Sequence, residues 1–259
     1  MINPSKGLRA LLLALASASL LAACGGDDNF DDRADTADPK VRFVHAIPEG
    51  PAVTLLGDGV PPTASTNVDY KYAGQYFGVP TAFANYSLRV AATNTELATA
   101  SIDAQRGTKY TLVALAATGG AELLVINDPY HKKLTSNDAR LRVLNAAPNA
   151  QAFDVYLTAV GIDLSTTSPG ITSVAYKQVA PASGSDSIEV NDGTYQLRIT
   201  PQGSKTVIFN TLVSVPDNAD WLLVVLPDDA AAPITNAVRI LRVRSDDSTD
   251  ATDELLTQS

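Results

Sequence analysis

The sequence predicts an all-β fold, arranged as two tandem immunoglobulin-like antiparallel β-sandwich domains. Three observations carry this reading. The chain repeats itself, it is punctuated by turn chemistry, and its apolar residues fall in short runs or strict alternation instead of at helical spacing. Val41-Arg42-Phe43-Val44-His45-Ala46-Ile47-Pro48 returns as Leu141-Arg142-Val143-Leu144-Asn145-Ala146-Ala147-Pro148. Further blocks follow in the same order: Ala52–Leu56 with Ala152–Tyr156, Val68–Lys71 with Val174–Lys177, Tyr86–Val90 with Tyr195–Ile199, and Tyr110–Leu115 with Trp221–Leu226. The offset between them grows along the chain, as it does when insertions fall in loops and paired strands are kept. Duplication explains that order better than chance likeness between strands.

The first element, residues 1–23, reads as a signal peptide. Lys6 and Arg9 precede Ala10–Leu21, a run of Ala, Leu and Ser that is short for a bilayer span and right for a signal core. Leu21-Ala22-Ala23-Cys24 resembles the lipobox of bacterial lipoproteins, which implies cleavage before Cys24 and lipid on its sulfur and amino group. The plainer alternative is a secreted protein with an incidental thiol. In a disulfide-permissive compartment such a thiol is a liability, which acylation removes. Stable anchoring needs more than one acyl chain, and the lipoprotein pattern implies that number. The expected partner is therefore a membrane, reached through lipid on Cys24. Gly25, where Asp would favour inner-membrane retention, points to the outer membrane if the cell is Gram-negative.

Residues 24–39 follow as an acidic tether, too polar and too like-charged to pack, and expected to be disordered. Its clustered oxygen ligands suggest calcium. The spacing lacks the alternating Asp/Asn positions, central Gly and closing Glu of an EF-hand, so a solvated spacer is expected and no metal.

The first β-sandwich repeat is expected at 40–135 and the second at 136–245. Gly119-Gly120 and Asn191-Asp192-Gly193 are hairpin-type signals. Tyr195, Leu197 and Ile199 alternate with Gln196, Arg198 and Thr200, giving one buried and one wet face. The run Val238–Val243 echoes the opening strand of a repeat; its pairing, within the second domain or back to the first, is open at this level. The remaining 246–259 is expected to be a disordered acidic tail.

Taken together, these blocks resemble a bacterial family known only as a domain of unknown function, number 4397. Its members carry the pattern of residues 41–48 and the Gly-Thr-Tyr-Gln-Leu-Arg-Ile of residues 193–199, often in tandem behind a lipoprotein signal. The resemblance covers roughly residues 40 to 245 and implies a fold without a catalytic assignment. The first copy departs from it at Ala84-Asn85-Tyr86. The second has Asn145 where the first has His45, so a role for His45 is not common to both copies.

Composition excludes several function classes. The formal charge is −9 for the whole chain and about −11 without residues 1–23, which argues against nucleic acid and anionic lipid surfaces. Beyond position 24 there are two histidines, His45 and His131, with no methionine and no cysteine. Zinc, copper, haem and iron–sulfur sites are hard to build from that set, so no cofactor is expected. No Gly-x-Ser-x-Gly elbow, Walker loop or dinucleotide fingerprint occurs. His45, within a strand, reads as a buried imidazole bonded to its neighbours ahead of a triad member, and His131 as a linker residue.

Aromatic residues crowd into positions 70–86 of the first copy. Of these, Tyr72, Tyr76 and Phe77 have no aromatic counterparts near Tyr176. Aromatics on a rigid sheet stack on sugars or anchor a protein partner, so these three are the candidate ligand-binding residues beside a core-packing alternative. The expected function is a lipid-anchored envelope protein, not an enzyme, with a structural, adhesive or ligand-binding role towards an envelope or extracellular glycan or protein. The alternative is an envelope hydrolase acting on glycans or peptides. A polar cleft with convergent carboxylates, or His45 beside a Ser, would favour that alternative.

Overall fold

Alternation along single strands sets the layering. In β1 (Lys40–Ala46), Val41 and Phe43 enter one buried cluster while Val44 and Ala46 enter another. Successive side chains of a strand point to opposite faces, so β1 has a core on each side. The computed structural model describes residues 37–59, 65–131, 136–228, 234–245 and 251–258. The expected signal segment, Cys24 and most of the expected tether lie outside the described residues.

In the first half, β2 (Val53–Gly57), β4 (Phe83–Val90) and β5 (Glu96–Asp103) form an antiparallel sheet in that order. A second sheet runs β3 (Phe77–Gly78), β1, β6 (Lys109–Ala117), β7 (Gly120–Asp128). Val53, Leu55, Leu88 and Ile102 from one sheet meet Val41, Phe43, Tyr110 and Leu112 from the other. The pattern recurs in the second half. There, β10 (Ile171–Val174), β9 (Phe153–Thr158), β13 (Gly193–Pro201) and β14 (Phe209–Val215) make one sheet. The other carries β8 (Ala139–Asn145), β15 (Asp220–Pro227), β16 (Val238–Arg244) and β17 (Thr252–Leu255), with β11 (Val179–Ala180) and β12 (Ile188–Val190) both on the free edge of β8. Phe153, Ile199 and Phe209 pack against Val143, Leu223 and Val225 across the gap.

A third core joins the halves. Val44, Val113 and Leu115 meet Leu144, Leu222, Val224 and Leu241. The order of layers is therefore outer sheet, inner sheet, inner sheet, outer sheet, with a hydrophobic core in each of the three gaps.

The fold is all-β, and the two inner sheets are mixed where purely antiparallel ones were expected. β1 runs parallel to β6, Lys40 opposite Lys109, and β8 runs parallel to β15, Asp220 opposite Arg140. Burial explains both pairs. Parallel strands favour positions covered on both faces and read as continuous apolar runs, and β15 is buried along its whole length.

Three connections bear on the sequence reading. At Gly119, a left-handed φ of 82° closes the tight turn between β6 and β7, with Ala117 opposite Gly120. The Asn191-Asp192-Gly193 signal is not a hairpin: it carries the chain from β12 in one sheet to β13 in the other. β16 stays in the second half, antiparallel to β15.

The acidic tail also departs from expectation, since β17 adds an edge strand to β16. Its acids have fixed partners: Asp253 pairs with Arg242 and Arg244, and Glu254 with Arg239 and with Lys71 of the first half. A segment whose charges are matched along a sheet edge need not stay solvated.

Candidate functional site

The densest set of chemistry-bearing side chains lies at one end of the gap between the halves. Its origin is the same alternation that builds the third core. On β1 and β8, Arg42, Arg140 and Arg142 occupy the face that further along bears Val44 and Leu144. On β6 and β15, Lys109, Thr111 and Asp220 do likewise, ahead of Val113 and Leu222. The inner gap is thus apolar at one end and ionic at the other. All six of these polar residues are buried.

Burying charge is costly unless each ion is paired and hydrogen-bonded. Arg140 Nη2 donates to Asp128 Oδ1 at 2.8 Å, and its Nη1 lies 3.9 Å from Asp220. Arg142 lies 3.6 Å from Asp128 and donates to Ser187 Oγ and to the carbonyls of Pro181, Ala182 and Ser185. Arg42 donates from Nε to Thr111 Oγ1 at 2.9 Å and from Nη1 to Arg244 O and Ser245 Oγ. The aromatic rings complete the lining. Arg42 stands 4.5 Å from the Tyr76 ring centre, while Lys109 and Arg140 stand 3.6 and 4.1 Å from that of Tyr130. Cation–π attraction strengthens once the cation is desolvated.

The charge states follow from these partners. Burial alone would raise the Asp128 carboxyl; the Arg140 and Arg142 guanidinium charges outweigh it and hold the group below the usual carboxylate range. Burial pushes the Tyr76 phenol upward, partly opposed by Arg42. Two cations, Arg42 and Arg142, and two carboxylates, Asp128 and Asp220, line a void of about 10 Å³ together with Tyr76 and Trp221. That is room for about one water and for no organic substrate. What this arrangement can do is fix one half against the other.

Of the candidate ligand-binding residues, Tyr76 belongs to this junction, its hydroxyl 3.1 Å from Thr111 Oγ1. Tyr72 and Phe77 pack on the first core, the Tyr72 ring 6.5 Å from Phe43. The three therefore serve two different packing environments, each with part of its surface exposed.

His45 is wholly buried. Its Nδ1 accepts from Ile47 N–H at 3.3 Å and its Nε2 faces the Pro51 carbonyl at 3.1 Å, which sets the Nε2–H tautomer. Burial lowers its pKa below 6.5, against the opposing pull of the Pro51 carbonyl and the Asp69 charge. Asn145 does the same work in the second half. Its Oδ1 accepts from Ala147 N–H at 3.1 Å, and its Nδ2 donates to Val174 O at 3.0 Å. Both residues bond the backbone two positions on and hold the turn before the next strand. His131, at the end of the first half, pairs with Asp186 at 3.3 Å with both side chains about half exposed. Among the described residues, no three His, Cys, Asp or Glu side chains gather as a metal centre, and no helix is long and apolar enough to cross a membrane.

The ionic junction itself was not picked out from the sequence. Its signal was present: Arg42 and Arg142 interrupt otherwise apolar strand blocks at equivalent positions of the repeat.

Comparison with protein families gives one assignment. A domain of unknown function, DUF4397, occupies residues 39–156. The match takes in β1 to β8 and ends within β9, beyond the boundary at 135 expected from the repeat. No curated protein matches the chain.

Proposed function

We propose that the chain is a lipid-anchored protein of the bacterial envelope that presents a rigid double domain and performs no chemistry of its own. In this reading 40–135 and 136–245 are two copies of one immunoglobulin-like sandwich, both of the DUF4397 type. The recurrence of the strand pairing in both halves supports the duplication, down to the parallel pairs β1–β6 and β8–β15. The lipobox-like run at 21–24 supports the anchor, and Gly25 the outer membrane.

One observation carries the non-enzymatic reading. The groups best suited to acid–base or electrostatic catalysis, His45 and the Asp128–Arg140–Asp220 set, are committed to turn bonds and to the junction between halves. The void beside Asp128 and Asp220 has space for about one water. The exposed parts of Tyr72, Tyr76 and Phe77 would then contribute to a contact surface for a glycan or protein partner.

The test uses the mature chain with Cys24→Ala, probed against peptidoglycan fragments and envelope glycans while product release is followed. Saturable binding without turnover supports the proposal. Release of a sugar or peptide product by the purified protein would replace it with a hydrolase. Separately, Cys24→Ala should move the protein from the membrane to the soluble fraction, and an unchanged membrane fraction would remove the anchor from the proposal.

A further inference from the structure

The two halves fill their cores differently. Equivalent positions can be matched by backbone bonds. His45 N–H donates to the Tyr72 carbonyl as Asn145 N–H does to that of Gln178. Phe77 lies opposite Val41 as Ile188 lies opposite Leu141. Where the first half packs Tyr72 and Phe77 onto its core, the second therefore has Gln178 and Ile188. Gln178 is exposed and adds nothing to that core.

The space beside Ile188, the position Phe77 takes in the first half, is open. A cavity of about 170 Å³, open to solvent on one side, lies between the sheets of the second half, where β12 meets β9, β10 and β13. Leu141, Val155, Leu157, Ile171, Ile188 and Tyr195 form most of its wall. Tyr195 directs its hydroxyl to the Asn191 carbonyl at 3.0 Å, leaving its ring as wall. In the first half the corresponding tyrosine, Tyr86, is buried against Gly57.

We propose that this cavity is a binding site for a compact monocyclic aromatic molecule without a negative charge. Size, polarity and charge each contribute. An apolar cavity of about 150 Å³ stays dry and accepts benzene, because water would find too few partners there. Here the wall is apolar, and the first half places an aromatic side chain, Phe77, at the position of Ile188. The only charged residue along the wall is an acid, Glu189, so a carboxylated ring is disfavoured and a neutral one accepted. A ring entering the site gains burial against Leu157, Ile171 and Ile188 without displacing well-bonded water. The proposal goes beyond the presenting role above and depends neither on the anchor nor on a glycan partner.

The experiment titrates the mature Cys24→Ala protein with benzene, toluene, p-cresol and, as the anionic counterpart, benzoate. The readout is the methyl resonances of the isoleucines, which is independent of glycan binding and of product release. Saturable shifts at Ile171 and Ile188, absent at Ile47 and Ile126 of the first half, are expected from at least one neutral ring and not from benzoate. Ile188→Phe, which restores the side chain that the first half carries, should weaken binding about tenfold or more. The converse variant, Tyr72→Gln with Phe77→Ile, should create a second site that shifts first-half methyls and serves if Ile188→Phe fails to fold. No saturable shift with any neutral ring, equal binding by benzoate, or unchanged affinity in folded Ile188→Phe would each overturn the assignment.

Discussion

His45 and Asn145 show one task done by two side chains. Both lie at the end of an inner strand and accept a backbone N–H two residues on. His45→Asn should therefore be tolerated, whereas His45→Ala leaves two part-buried backbone groups without their side-chain partner and should cost about 1 kcal/mol. The pH dependence has a fixed sign. Since burial depresses the folded pKa below 6.5, the unfolded chain binds a proton first as pH falls. The contribution of His45 is present above that value and lost as pH drops through the folded pKa. Thermal melts between about pH 7 and about pH 5 should show a steeper loss for wild type than for His45→Asn; parallel curves would exclude this role. At the junction, Asp128→Asn removes the carboxylate that holds two buried guanidinium groups. Urea unfolding should register a loss of about 3–5 kcal/mol, and a change under about 1 kcal/mol would show the junction to be energetically slack.

At the level of elements, the sequence was informative about strands and weak about partners. The blocks Val41–Ala46 and Leu141–Asn145 are indeed matching inner strands, and Tyr110–Leu115 and Trp221–Leu226 are the strands that flank them. The unbroken apolar run Trp221–Leu226 already bears the mark of a strand covered on both faces. Its parallel partner could not be read off, because pairing direction depends on contacts far apart in sequence. The tail was misjudged for a related reason. Asp253 and Glu254 look solvated until Arg242, Arg244 and Arg239 are seen beside them. Deleting residues 251–259 should uncover the outer edge of β16. Such an edge invites pairing with a second chain, so sedimentation should show self-association in the truncated protein and a monomer-like profile in the intact one. Identical profiles would assign β17 no protective part.

At the level of the whole molecule, the repeat suggested two units on a string, and the third core makes them one body. Val44, Val113 and Leu115 would face water if the halves came apart, together with Leu144, Leu222 and Val224. Calorimetry on the full mature chain should give one transition, with calorimetric and van't Hoff enthalpies in agreement. Two resolved transitions would mean that the inner gap contributes little. The candidate ligand residues were singled out by local crowding and by the lack of aromatic counterparts near Tyr176, and neither says which face of a sheet an aromatic ring will take. Tyr76 is held by Arg42 and Thr111 at that inner gap, so its role is architectural first.

The parallel pairing has a further consequence in time. Lys40 cannot find Lys109, nor Arg140 find Asp220, until everything between them has emerged. Each inner sheet thus closes last around contacts of long sequence separation, which makes folding slow relative to a chain of hairpins. During that interval the edge of β1 that β6 will take stays unpaired, and a chaperone that holds extended segments would find its substrate there.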